Sequence, residues 1–152
     1  MHRPPRLLRS STTSGARAAR VGMVAALAVG LAGCAGQPAP GVIAESRTDD
    51  SAPAQFRNRE PLPSCGAYDL GQSGPLPADA VACMNDSAAS GAELTVSSST
   101  TDDDTVVTYY RTGPEIEGFQ LFVDATRHRS GTGTWSEQSC VSDEFVWPLV
   151  CG

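Results

Sequence analysis

The chain has 152 residues and a net charge of −6, from seventeen acids against eleven basic side chains, all of them arginine. One domain is the expectation at this length. The charge is unevenly placed, because residues 34–152 keep every acid but only six arginines, a net charge of −11. That balance argues against nucleic-acid binding, which needs basic side chains to neutralise phosphates, and against a polybasic docking segment on anionic lipid.

In chain order, Arg3, Arg6, Arg9, Arg17 and Arg20 precede a run of apolar or small residues from Val21 to Gly33. This is a positive n-region followed by an h-region. The run falls short of the roughly 18 apolar residues that cross a bilayer, and Pro38 and Pro40 follow closely. It ends in Leu31-Ala32-Gly33-Cys34, which resembles the lipobox of bacterial lipoproteins in all four positions. The resemblance implies that residues 1–33 are a signal peptide, that Cys34 carries diacylglycerol on its sulfur, and that the lipid bilayer is the protein's first partner. The chain is then expected on the extracytoplasmic side of the cell membrane, held by two or more acyl chains, since each buried methylene contributes only about 0.8 kcal/mol. Ordinary secretory cleavage near Ala32-Gly33 or Ala35-Gly36 is the alternative.

With Cys34 assigned to lipid, Cys65, Cys83, Cys140 and Cys151 remain, an even number that reads as two disulfides in an exported protein. Three pairings are open. No Cys-x-x-Cys pair occurs and His128 is the only imidazole beyond residue 33, so zinc has little to bind and no metal or cofactor is expected.

Residues 34–63 are rich in Pro, Ala, Ser, Asp and Arg, with Val42, Ile43 and Phe56 following neither a helical nor a strand period. They read as a disordered tether with a reach of roughly 30 Å and a contour limit near ~90 Å. The folded domain is expected over 64–152. Ala67–Leu70 suits a short first strand. Ala78–Ala89 places Val81, Met84 and Ala88 on one helical face, with Pro77 and Asp79 at its start and Gly91 as its cap. Beyond Gly91 the period becomes 2: Ala92, Leu94 and Val96 alternate with polar residues, Thr105–Thr112 is β-branched and aromatic, Phe119, Leu121, Val123 and Ala125 alternate again, and Thr134–Cys140 forms a fourth strand. Short connections favour an antiparallel meander. The predicted fold is therefore α+β, one helix packed on a three- to four-stranded antiparallel meander sheet, with two disulfides and a C-terminal tail over 141–152 pinned by Cys151.

Cys83-Met84-Asn85 on a helix, Thr100-Thr101 with acids before Thr108-Tyr109, Phe122-Val123-Asp124-Ala125-Thr126, and a Gly-rich loop before Trp135 and Cys140 together resemble a group of small bacterial exported or lipoprotein domains of unassigned activity. The resemblance spans roughly Cys65 to Cys140. It implies the pairing Cys83–Cys140, leaving Cys65–Cys151, and it implies no activity. Arg127-His128-Arg129 stands where a more acidic loop is expected from that group.

Candidate sites are few. Tyr110 and Phe122 have polar neighbours in alternation, so they form an exposed aromatic patch for binding unless the tail from Val141 to Trp147 covers them. Arg127 and Arg129 make a cationic tip on an acidic protein, suited to an anionic envelope partner or cell-wall polymer, although simple surface polarity explains them too. Asp102, Asp103, Asp104 and Asp124 offer oxygen ligands but lack the spacing of an EF-hand loop. No Gly-x-Ser-x-Gly elbow accompanies His128. The expected function is accordingly a non-enzymatic binding or interaction module, against the competing classes of a small envelope-acting hydrolase or an inhibitor of an extracellular protease.

Overall fold

A computed structural model describes residues 41–102, 104–128 and 133–151. Among them the order is α1 (Gly41–Arg47), α2 (Ala54–Arg57), β1 (Ser64–Asp69), α3 (Ala78–Asp86), β2 (Ala92–Ser99), β3 (Thr105–Gly113), β4 (Ile116–Asp124) and β5 (Trp135–Cys140). The strands form one sheet in the order β1-β2-β3-β4-β5. The α+β class is as expected, but the sheet has five strands rather than three to four. Its first pair is parallel, because α3 lies between β1 and β2 and carries the chain back to start in the same direction. The antiparallel meander covers only β2 to β5.

Strand alternation gives the sheet two faces, and the register aligns them across strands. Leu94 pairs with Tyr110, and Tyr110 with Leu121, on one face. Thr95 pairs with Tyr109, and Tyr109 with Phe122, on the other. The first face is covered by α3, through Ala80 and Met84, and by the tail after β5, whose Phe145 is fully buried with Trp147 and Leu149 packed beside it. Asn85 pins this tail twice: its Nδ2 donates to the Phe145 carbonyl at 3.1 Å, and its Oδ1 accepts from the Phe145 N–H at 2.7 Å. α3 stops at Asp86, earlier than the periodicity suggests, and Gly91 closes the turn that follows with φ +87° and an N–H donated to Ser87 O at 2.7 Å.

The opposite face is covered by the stretch expected to be a tether. Ile43, Ala52 and Phe56 are buried against Val107, Tyr109 and Phe122, and Phe56 lies 4.6 Å from both the Tyr109 and Trp135 rings. The disordered reading of 34–63 is thus corrected from residue 41 onward. α1 and α2 have seven and four residues, well below the length at which a helix holds in water alone, so no sustained period announces them. The sheet supplies the apolar surface that orders them.

The cysteines pair Cys65–Cys83 and Cys140–Cys151, with Cα–Cα distances of 5.7 and 4.9 Å. Two disulfides form as expected, and the pairing implied by the resemblance is corrected. The reason is topological. A crossover helix packs over the strands it joins, which sets Cys83 of α3 above Cys65 of β1, whereas Cys140 lies on β5, three strands beyond β2. At about 4.8 Å per strand that separation is roughly 14 Å, beyond disulfide reach.

Candidate functional site

The two aromatic candidates are not exposed and do not share a face. Tyr110 is 8 % exposed and meets Phe145 and Trp147 edge-on at 5.5 and 5.9 Å, under the tail. Phe122 is 1 % exposed and contacts Phe56 at 5.4 Å on the other side of the sheet. Because Tyr109 rather than Tyr110 pairs with Phe122, alternation places Tyr110 and Phe122 back to back. The exposed aromatic patch does not exist.

Arg127 is held rather than free: it pairs with Asp124 and with Glu45 of α1, each at 3.2 Å. Arg129 and Asp103 lie outside the described residues, as does Cys34. Asp124 is buried and committed, accepting from the Thr126 N–H at 3.0 Å and hydroxyl at 2.6 Å as well as from Arg127. Asp104 is buried with His128 Nδ1 3.9 Å away. Among the described residues no three His, Cys, Asp or Glu side chains converge as a metal set. The alignment of acids in the sequence does not bring them together in space.

What the fold does bring together is arginine. A ladder of polar side chains crosses the helix-covered face toward one end of the sheet. Arg59 grips Glu93 with two contacts, at 2.8 and 3.1 Å, and Arg111 lies against the same carboxylate at 3.4 Å. Arg111 continues the ladder by donating to Gln120 Oε1 at 3.0 Å and to the Glu60 carbonyl at 2.7 Å, and Gln120 donates to Glu137 at 2.7 Å. Burial lowers the Arg111 pKa from its usual range, with the nearby Glu93 opposing that shift. Arg59 also stacks over the Phe56 ring at 3.7 Å, a cation–π contact that ties the ladder to α2.

Beside this ladder opens a cleft of about 370 Å³ lined by Arg47, Arg57, Arg59, Pro61, Leu62, Ser64 and Glu93. Each wall has a local cause. Arg47 ends α1 and Arg57 ends α2, the C-terminal positions where the helix dipole favours a cation. Pro61 and Leu62 belong to the extended run into β1. Arg47 donates to Thr95 Oγ1 at 3.2 Å on β2. The Ser64 hydroxyl oxygen accepts from the Gly66 N–H at 3.1 Å, which leaves its own proton to donate. Among the described residues, Arg59, Arg111 and Arg127 have carboxylate partners, and Arg47 and Arg57 have none. Sequence reasoning missed this site because its arginines lie in the presumed tether. The spacing of Arg47, Arg57 and Arg59 in a short stretch was the only available signal.

No family model, curated protein or solved structure matches the chain.

Proposed function

We propose that the protein is an acyl-anchored extracytoplasmic lipoprotein whose folded part is a non-enzymatic binding module at the cell envelope, with the arginine cleft as its ligand-facing surface. The observation that carries this reading is the gathering of three of the six arginines of the strongly acidic stretch 34–152 around one open cleft. Concentrated charge of one sign, against the sign of the whole molecule, attracts and orients a ligand of the opposite sign. The lipobox resemblance at Leu31-Ala32-Gly33-Cys34 supports the anchor, and two disulfides suit an oxidising compartment.

Two experiments test the two halves. Cys34→Ala is expected to release the protein into the medium or to stall its processing, and a variant that stays membrane-bound and normally cleaved overturns the anchor. For the module, photo-crosslinking from position 62 in intact cells is expected to recover an envelope component whose yield drops in Arg57→Gln. Equal recovery from that variant, or turnover of a wall fragment by the purified protein, overturns the binding reading.

A further inference from the structure

We infer that the cleft between α1, α2 and β2 is a binding site for a doubly charged phosphate group, of the kind a phosphate monoester carries. This rests on the reading of the cleft as the ligand-facing surface and names its ligand chemistry. The first argument is charge. Three guanidiniums against the single Glu93 carboxylate leave two positive charges on the lining, which a dianion matches and a carboxylate or phosphodiester, each singly charged, only half matches. Glu60, the next acid in the chain, lines a separate depression with Arg111 instead.

The second argument is that two of the guanidiniums have no carboxylate partner among the described residues. Arg59 is fully engaged, through Glu93, the Phe56 carbonyl at 2.7 Å and the Phe56 ring, and it acts as a fixed positive wall. Arg47 and Arg57 each keep donors that no carboxylate of the described residues satisfies, although all seventeen acids of the chain lie at or beyond residue 45. Like charges held at the rim of one cleft repel, and an arginine's forked donors fit phosphate oxygens in pairs. The Ser64 hydroxyl adds a neutral donor to the lining. The third argument is that Pro61 and Leu62 also line the cleft and offer a carbon surface for the group that bears the phosphate. A cleft of about 370 Å³ lies at the small end of the range for small-molecule sites, enough for a phosphate and a compact substituent.

The test is calorimetric titration of the purified full chain, in detergent and at constant ionic strength, with inorganic phosphate, dimethyl phosphate and acetate as probes. Phosphate is expected to bind most tightly, and Arg47→Gln and Arg57→Gln each to weaken it roughly tenfold, the size of one charge-assisted hydrogen bond. Arg127→Gln, the same change of charge at a paired arginine elsewhere, is expected to leave it unchanged. Unfolding of each variant by circular dichroism confirms that the comparison is between folded proteins. Equal binding of all three probes, a phosphate affinity insensitive to Arg47 and Arg57, or an equal loss in Arg127→Gln overturns the assignment. The crosslinking from position 62 reads the cleft without regard to phosphate, so recovery of a partner together with absence of phosphate binding overturns the ligand class alone.

Discussion

Glu93 holds two guanidiniums at once, Arg59 and Arg111, and all three side chains are largely removed from water. An isolated buried charge is far more costly than a paired one, so the carboxylate stabilises the sheet end mainly by preventing two unpaired cations. Glu93→Gln is expected to lower stability by about 3 kcal/mol, measured by urea unfolding, and a loss within experimental scatter contradicts that role. Tyrosines act at the same scale on the alkaline side. Burial raises the hydroxyl pKa of Tyr110, and also that of Tyr109, where the nearby Ser46, Arg47 and Arg59 partly oppose it. The unfolded chain then releases these protons first, so above the usual pKa of 10.0 the native state binds more protons than the unfolded one and stability falls as pH rises. The urea midpoint at about pH 11 is expected below that at about pH 8, with the decline reduced in Tyr110→Phe. An unchanged midpoint contradicts the burial argument.

At the scale of elements, α1 and α2 owe their order to Ile43 and Phe56, both fully buried against the sheet. Phe56 touches Tyr109, Phe122 and Trp135 and carries Arg59 on its ring. Phe56→Ala is therefore expected to cost about 3 to 5 kcal/mol and to speed hydrogen exchange over residues 41–57 more than over β2 to β4. Uniform exchange across both regions contradicts the dependence of these helices on the sheet. The disulfides belong to this scale too. Each staples neighbouring elements, β1 to α3 and β5 to the tail, and each short closed loop contributes about 3 kcal/mol in the chain-entropy model. Non-reducing peptide mapping is expected to recover Cys65 with Cys83 and Cys140 with Cys151, and recovery of Cys83 with Cys140 contradicts the crossover geometry.

Over the whole molecule, the ordering of the chain from Gly41 shortens the distance between the proposed lipid and the domain. Six residues, 35–40, separate Cys34 from α1, a contour of at most about 25 Å, against the ~90 Å allowed by a tether reaching residue 63. An acylated protein would thus hold its sheet close to the bilayer. The sheet is the middle of three layers, with α3 and the tail on one face and α1 and α2 on the other, while Ser136 to Ser139 of the edge strand β5 stay exposed.

Much of this was legible beforehand because it is local. The alternation of Leu94 and Val96, the β-branched run of β3, the helical spacing of Val81 and Met84, and an even set of cysteines beyond Cys34 each follow from backbone geometry or thiol chemistry, and each predicts an element or a bridge count that the fold contains. The same patterns could not say which cysteines meet, because that depends on a helix lying over the strands it connects. Nor could it tell that Tyr110 and Phe122 point to opposite faces, which is a matter of register across a hairpin. The arginine cleft is the clearest case. Residues 41–63 have no period strong enough to fold alone, and only the apolar face of a distant sheet orders them, so Arg47, Arg57 and Arg59 meet through burial of Ile43 and Phe56 rather than through any pattern of their own.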